Sequence, residues 1–152
     1  MKIGLPAESS TGETRLAVVP ETASKLMKLK GAELLVQNGI GANCGYCGFS
    51  DDLFKTSGAA LAHSNDEILA ESDIILRVQP SSPGEIKKMK GGAVHISYLD
   101  PFNNIELIKK YASAGISTIS MEMIPRITRA QKMDALSSQA SIAGYTAVIH
   151  AA

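Results

Sequence analysis

The sequence predicts an α/β domain in which helices cover both faces of a mostly parallel sheet. Short runs of β-branched and aliphatic residues, typical of buried strands, alternate with segments of helical period along most of the chain. Alternation of this kind favours βα units, whose strands pair in parallel. The expected strands are Lys2–Leu5, Glu33–Gln37, Ile74–Val78, Ala93–Ser97 and Ile116–Ser120, with a weaker one at Ala59–Ala62.

Start and stop signals place helices between these strands. Pro20 opens an amphipathic helix that Gly31 ends, since proline suits the first helical turn and glycine the position after the last. Ser64-Asn-Asp-Glu67 has the form of a capping box and opens the next helix. A further helix starts at Asn103 and ends at Gly115. Together these elements predict a Rossmann/flavodoxin-like three-layer α/β domain over residues 1–126.

The last segment differs in composition from the rest of the chain. From about Arg129 to Ala152 it contains no proline, few charges and many small residues, which predicts one helix roughly 35 Å long. A helix that is apolar nearly all round is expected to be buried. The segment ends at Ala151-Ala152 without a capping signal. We therefore expect residues 127–152 to be a linking helix that continues toward a second domain.

Composition argues against several classes of function. The 152 residues include 15 basic and 15 acidic side chains, so the chain lacks the positive net charge that would favour binding to nucleic acid or an anionic membrane. Aromatic residues make up only 5% and tryptophan is absent, which disfavours a base-stacking surface. No apolar run approaches the roughly 20 residues of a membrane helix. Because the start also lacks a signal-peptide core, a soluble cytoplasmic chain is expected.

The cysteines and histidines do not form a recognisable metal motif. Cys44 and Cys47 have redox-pair or half-zinc spacing, but no second pair exists and glycines surround them. We interpret them as free thiols in a loop and expect no metal. His95 lies within an expected strand, where we expect a structural histidine with satisfied hydrogen bonds. His63 and His150 are interpreted in the same way.

A glycine-rich stretch after the second strand resembles a phosphate-binding loop only superficially. In Gly39-Ile-Gly41-Ala-Asn-Cys-Gly45 the third glycine comes one residue too late for the dinucleotide fingerprint. No clear helix start follows, and phosphate binding at such a loop depends on a helix N-terminus. We therefore interpret this stretch as a flexible turn.

Polar residues cluster where the last helix begins. Arg126, Gln131, Asp134 and Ser137 supply a cation, an amide, a carboxylate and a hydroxyl, a set able to hold a flat polar ring. If the segment is helical, the last three occupy positions i, i+3 and i+6 and share one broad face. The alternative is a capped helix start with solvated polar side chains.

These residues belong to a motif that resembles a known family. Pro125-Arg-Ile-Thr-Arg-Ala-Gln-Lys-Met-Asp-Ala-Leu-Ser-Ser, followed by Ala143-Gly-Tyr145, resembles the nicotinamide-side loop of proton-translocating NAD(P) transhydrogenases. The opening Met-Lys-Ile-Gly-Leu-Pro-Ala-Glu, with Gly12-Glu-Thr-Arg15, is similar to the start shared by transhydrogenases and alanine dehydrogenases. The resemblance covers nearly the whole chain, and the loop is its most specific portion.

The transhydrogenase resemblance implies a role in NAD(H) binding. It places Arg126, Gln131, Asp134, Ser137 and Ser138 at the nicotinamide, and hydride passes directly between two cofactors without a catalytic side chain. It also implies a second Rossmann domain in the same subunit, a homodimer, and NADP(H)-binding and membrane subunits as partners. The protein would then lie in the cytoplasm, peripheral to the inner membrane, and would be inactive as this chain alone.

Alanine dehydrogenase is the alternative family. Arg15 matches the family's substrate arginine, but Arg77 stands where the family has a lysine, and Asp100 aligns best with its histidine. Arginine does not change protonation near neutral pH, and an ordinary aspartate is a poor proton shuttle there. Transhydrogenases also usually keep the lysine, so we expect Arg77 to form a salt bridge at a strand end rather than bind a ligand. Arg15 is either a ligand or a surface residue.

A third possibility is a non-catalytic interaction module. An exposed apolar helix at residues 127–152 would favour dimerisation or docking of another protein. Under this hypothesis the chain has a docking surface for another protein but does not bind a nucleotide.

Overall fold

A computed structural model of the chain describes residues 1–43 and 48–151. Its sheet has six strands in the order β3-β2-β1-β4-β5-β6, and every neighbouring pair is parallel. All six predicted strands are confirmed. Their bounds are Lys2–Leu5 (β1), Glu33–Gln37 (β2), Ala60–Ala62 (β3), Ile74–Leu76 (β4), Val94–Ser97 (β5) and Ser117–Ser120 (β6).

Helices connect the strands and form the outer layers of the α/β domain. The expected helices after Pro20, Ser64 and Asn103 are all present. The α-helices are Pro20–Leu26 (α1), Asp51–Thr56 (α2), Asn65–Glu71 (α3), Pro83–Ile86 (α4), Ile105–Ser113 (α5) and Ala135–Ala151 (α6). Short 3₁₀ helices are found at Ile40–Asn43, Met121–Met123 and Thr128–Met133.

The strand order places the central strand β1 at a topological switch point. The chain moves from β1 outward through β2 and β3, then returns to the other side of β1 for β4, β5 and β6. In open parallel sheets of this kind, ligands bind outside the carboxyl ends of the strands, where the order reverses. The loops that follow β1, β4, β5 and β6 all lie at this edge, which positions the site described below.

Two buried apolar clusters hold the layers together. One joins β1 and β2 to α1 and α2 and contains Leu5, Val36 and Phe54, all at most 1% exposed. The other joins β4 to α3, α4 and α5 and contains Ile75 and Tyr111. Burial of such side chains contributes roughly 1.5–3 kcal/mol each to folding.

The N-terminal caps differ in one respect from the sequence prediction. Ser64 accepts a hydrogen bond from the backbone N–H of Glu67, as expected, at 3.2 Å. The Glu67 carboxylate, however, accepts from the N–H of His63 rather than that of Ser64, so the predicted capping box is only half formed. The complete capping box lies at Ser82 and Glu85, where none was predicted.

The prediction of one continuous helix from Arg129 was wrong at its start. Residues Thr128–Met133 form a 3₁₀ helix, and α6 begins only at Ala135, so it is about 26 Å long. Asp134 interrupts the helix with ψ of 88°, and its carboxylate caps the first turn of α6. The expected burial is also not seen, since α6 buries no residue within the described portion of the chain. No helix of residues 1–43 and 48–151 has the length and apolarity needed to span a membrane.

Two predictions fall partly on residues that the structure does not describe. Cys44 and Cys47 lie outside the described residues, so the free-thiol interpretation stays a prediction. The glycine-rich stretch is described only as far as residue 43, where Ile40–Asn43 form a 3₁₀ helix, so its interpretation as a flexible turn stays a prediction.

His95 is a structural histidine, as predicted. Its side chain is fully buried on β5, its ring centre lies 5.0 Å from that of Tyr111, and its nitrogens contact Ser81 Oγ at 3.2 Å and Ser97 Oγ at 3.4 Å. Burial, with a smaller effect of the Arg77 charge, lowers the pKa of His95 to about 3. The same interpretation was wrong for His63 and His150, which are exposed.

We expect His95 to make the folded protein acid-sensitive. Between about pH 3 and its ordinary pKa of 6.5, the unfolded chain binds a proton that the folded chain does not. The free energy of unfolding should therefore fall as pH decreases through this window, by at most ~1.4 kcal/mol per pH unit. Urea unfolding of His95→Gln should show a shallower pH dependence than the parent. His63→Gln is the control, because it changes a histidine on the surface. Equal slopes of unfolding free energy against pH for His95→Gln and the parent would contradict the assignment of the acid sensitivity to His95.

Candidate active-site cleft

A cleft of about 1030 Å³ opens at the carboxyl edge of the sheet, between the strand ends and α6. Its walls come from the loop after β1, the ends of β4 and β5, the residue after β6, and the first turns of α6. The lining is predominantly apolar, as is usual for sites that bind a flat organic ring. The lining residues are Thr14, Arg15, Leu16, Ala17, Val19, Leu76, Arg77, Val78, Ile96, Tyr98, Met121, Ala135, Gln139 and Ile142.

Arg15 stands at the cleft with its guanidinium already paired. Its Nε and Nη2 donate to the two carboxylate oxygens of Glu13 at 2.7 and 2.6 Å, a bidentate arrangement, while half of the Arg15 side chain stays exposed. Gln79 Nε2 donates to the same carboxylate at 2.8 Å. These bonds, that from Arg15 foremost, lower the pKa of Glu13 to about 2. Arg15 is therefore a half-exposed cation that already has a partner within the protein. It lies between the two predicted alternatives, which were a residue that binds a ligand and an ordinary surface residue.

Arg77 is sealed inside the protein. Its side chain is 0% exposed and forms ion pairs with Glu8, at 3.6 Å, and Glu85, at 3.0 Å. Both terminal nitrogens are fully used. They donate to Ser81 Oγ (3.0 Å), Glu85 Oε1 (3.0 Å), Ala7 O (2.9 Å) and Ser9 Oγ (3.0 Å). The predicted salt bridge at a strand end is confirmed, and the guanidinium has no terminal N–H left for a ligand.

The residues predicted at the nicotinamide surround the start of α6. Arg126, Gln131, Ser137 and Ser138 are exposed, and Asp134 is half-buried. None of the five lines the cleft as this chain forms it. The 3₁₀ segment also takes Gln131 off the helix, so the predicted shared helical face with Asp134 and Ser137 is not formed.

Asp134 and Ser137 are joined by two hydrogen bonds. Asp134 Oδ1 accepts from the N–H of Ser137 at 3.0 Å, and Oδ2 accepts from its hydroxyl at 2.6 Å. The Ser137 hydroxyl bond is the main reason that the pKa of Asp134 is lowered, and the charge of Arg126 adds to it. Arg126 and Asp134 do not form an ion pair within 4.0 Å in the described part of the chain. Ser138 Oγ donates to the carbonyl of Ala135 at 3.0 Å.

The side of α6 that faces the cleft carries different residues. Ala135, Gln139 and Ile142 line the cleft, and their spacing of i, i+4 and i+7 places them on one helical face. Tyr98 faces them from the end of β5. Neither Gln139 nor Tyr98 was predicted from the sequence. The helical spacing was a usable signal for Gln139, and the position directly after a buried strand was one for Tyr98.

Among residues 1–43 and 48–151, no group of three or more histidine, cysteine or acidic side chains could hold a metal ion. The polar groups that line the cleft are instead the amide of Gln139, the phenol of Tyr98, the hydroxyl of Thr14 and two paired arginines, Arg15 and Arg77. This donor set suits hydrogen bonding to an organic ligand rather than metal coordination.

Comparison with known proteins agrees with this architecture. The family model for the alanine dehydrogenase/PNT N-terminal domain matches residues 4–143. An NAD(P) transhydrogenase subunit alpha protein of Rickettsia prowazekii is 43% identical over 155 aligned residues, covering 99% of this chain and 39% of that protein. The crystal structure of transhydrogenase from Sinorhizobium meliloti superposes with a TM-score of 0.90 at 39% identity, covering 99% of this chain and 43% of that one.

Alanine dehydrogenases are more distant relatives. The enzyme from Mycobacterium tuberculosis is 26% identical, covering 82% of this chain and 32% of that protein. The chain thus spans about two fifths, or less, of the length of these relatives. Since the family model matches most of the chain, the protein belongs to the alanine dehydrogenase/PNT N-terminal domain family.

Proposed function

We propose that the chain is the N-terminal domain of a proton-translocating NAD(P) transhydrogenase alpha subunit and forms the nicotinamide side of its NAD(H) cleft. The observation that carries the proposal is the apolar cleft beneath the first turns of α6, beside the Arg126–Ser138 loop motif. The higher identity to transhydrogenase alpha subunits, 43% against 26% for an alanine dehydrogenase, supports this choice.

The geometry around Arg77 disfavours amino-acid oxidation. A substrate carboxylate or carbonyl group would need a free cation, but the terminal N–H groups of Arg77 are all committed to protein oxygens. Asp100, at the position of the dehydrogenase histidine, is exposed and accepts hydrogen bonds from Asn103 Nδ2. Neither group is arranged to bind or protonate an amino acid.

The cleft fits the ring end of NAD(H). Its walls are mainly aliphatic, and the volume of about 1030 Å³ exceeds what a single pyridine ring occupies. When bound, the nicotinamide supplies the hydride, and the domain contributes only position and environment. Apolar walls exclude water, and a fixed ring orientation brings the reacting atoms of two cofactors into contact.

The loop residues would orient this ring. The Gln131 side-chain amide can pair with the carboxamide in complementary fashion, and Ser137 and Ser138 can add hydroxyl hydrogen bonds. Asp134 caps α6 and so fixes the position of Ser137. Arg126 adds a positive charge that already acts on Asp134. Arg15, which lines the cleft, is a secondary candidate, whereas Arg77 only supports its wall.

The proposed partners follow from the same assignment. Residues 1–126 form the domain, and residues 127–152 would link it to a second, NAD-binding Rossmann domain. Three apolar side chains on α6 are exposed, which supports the proposal that this second domain or a homodimer partner covers the helix; they are Tyr145, Val148 and Ile149. NADP(H)-binding and membrane subunits would complete the assembly and hold it at the cytoplasmic side of the inner membrane. We expect no nucleic acid among the partners.

We expect Asp134→Asn to slow hydride transfer more than it weakens NADH binding. Asparagine also caps helices well, so α6 should keep its start while the charge beside the ring is lost. Misplacement of the ring reduces the rate on the order of 10-fold to 100-fold. Stopped-flow transfer in the complete subunit, reassembled with its partners, measures the rate, and NADH titration of the same samples measures affinity.

Two further variants sharpen this test. Gln131→Asn shortens the amide that would meet the carboxamide and should show the same split between rate and affinity. Lys132→Gln, at an exposed neighbouring position in the 3₁₀ segment, changes a charge on a residue that has no proposed contact with the nicotinamide and serves as the control. Unchanged rates with lost NADH affinity in the first two variants would reject the positioning role.

A further inference from the structure

At the carboxyl edge of the sheet, two pairs of backbone N–H groups lie beyond the last hydrogen bonds between strands. The β4–β5 hydrogen bonding extends to Arg77 N–Ile96 O and Tyr98 N–Val78 O, both at 3.0 Å. The N–H groups of the residues that follow have no strand partner. On the β4 side these include Val78, because the β1–β4 pairing ends at Ile75. Such freed N–H pairs form concave sites for anions.

Glu8 fills the first of these positions. It follows β1 in sequence, and its Oε1 accepts from the N–H of Val78 at 2.6 Å while Oε2 accepts from the N–H of Gln79 at 3.1 Å. Arg77 Nε lies 3.6 Å from Oε2, and the Glu8 side chain is only 7% exposed. A carboxylate of the chain itself therefore occupies the crevice between β1 and β4, the topological switch point.

Glu122 fills the equivalent position after β5. Its Oε1 accepts from the N–H of Leu99 at 2.9 Å and also from the N–H of Asp100. Its other oxygen is buried without a hydrogen-bond partner among the described residues. Asp100 has a positive φ of 45°. Glu122 comes directly after Met121, which lines the cleft.

In sheets of this type the crevice at the switch point is where the anionic portion of a nucleotide binds. A phosphate would bind there through the same freed N–H groups that the two carboxylates accept from. To enter, it would have to displace a carboxylate and leave it buried without its backbone hydrogen bonds, which is unfavourable. The half-exposed cation beside the cleft, Arg15, is paired with Glu13 and does not offset this cost.

We propose that Glu8 and Glu122 are specificity-determining residues that exclude phosphate from this edge, so that the cleft admits the ring of a ligand but not its phosphate groups. The inference rests on the proposed function only where it names that ring as nicotinamide. It explains how a domain with a Rossmann-like strand order can lack dinucleotide phosphate contacts at its own switch point. Both carboxylates also repel an anion that approaches the cleft.

Titration with inorganic phosphate, followed through backbone ¹H–¹⁵N signals, tests the inference. In the parent protein the amide signals of Val78, Gln79, Leu99 and Asp100 should not move. In Glu8→Ala the signals of Val78 and Gln79 should shift saturably with phosphate, because the N–H pair is then free. In Glu122→Ala the signals of Leu99 and Asp100 should shift instead.

Glu106→Ala is the matched control, because it removes the same charge from an exposed side chain on α5. Its signals at all four amides should resemble those of the parent. Saturable shifts in the parent would overturn the inference, and so would a folded Glu8→Ala or Glu122→Ala variant whose freed amides ignore phosphate. Because each variant opens a different site, one that fails to fold leaves the other to decide. Neither result depends on NADH, so the proposed function is tested separately.

Discussion

Gly4→Ala is expected to lower the free energy of unfolding by about 3 kcal/mol or more, at the upper end of the cost of overpacking a core. A Cβ atom at Gly4 would lie 2.2 Å from Ser72 Oγ and 2.6 Å from Ile68 Cγ2. Both residues are fully buried at the α3 face of the sheet. The central strand β1 pairs with β2 and β4 on its two sides and has no room to retreat.

Gly84→Ala is the control for this substitution. The nearest side-chain atom to a Cβ at Gly84 is Ser82 Oγ at 4.0 Å, so the added methyl group meets open space. We expect a change within about 1 kcal/mol, because alanine in a compatible helical position restricts the unfolded chain. Urea denaturation of both variants measures the difference. A Gly4→Ala protein as stable as Gly84→Ala would show that α3 and β1 are less tightly packed than described.

Arg77→Met is expected to cost about 3–5 kcal/mol, the usual effect of breaking a buried ion pair from one side. Methionine roughly fills the space of the aliphatic stem but leaves Glu8 and Glu85 without their cation. The side chains of both glutamates are at most 14% exposed, so water replaces the lost contacts poorly. The loop after β1 should loosen, since Arg77 also holds the carbonyl of Ala7.

Lys109→Met provides the comparison, because it removes a cation from the exposed pair with Glu106 on α5. Surface pairs of this kind contribute about 0–1 kcal/mol. Chemical denaturation curves of the two variants should therefore differ clearly in midpoint. If Arg77→Met unfolds at the same denaturant concentration as Lys109→Met, the buried network does not stabilise the loop after β1.

The fold was predictable because its signals are local. Strands such as Glu33–Gln37 and Val94–Ser97 are short apolar runs, and stop signals such as Gly31 and Gly115 adopt the positive φ that they predict. The start of α6 was not predictable in the same way. There Asp134 competes with the helix for the N–H of Ser137, and helical composition alone does not reveal which interaction prevails.

The site was only partly predictable for a related reason. The loop from Arg126 to Ser138 carries a sequence motif, whereas the cleft itself is assembled from distant segments. Glu8 meets Val78 and Gln79 across about seventy positions of sequence. No periodicity or spacing links residues so far apart, so the strand-end salt bridge of Arg77 was predicted without its partners.

We propose that this domain contacts the nicotinamide rather than the rest of NAD(H). Methyl NMR of the complete subunit tests it most directly, with signals from Ala135 and Ile142 in the cleft and from Ala140, which does not line it. NADH should shift the first two signals and ADP-ribose, which lacks the nicotinamide ring, should not. Equal shifts with both ligands, or shifts confined to Ala140, would contradict the account.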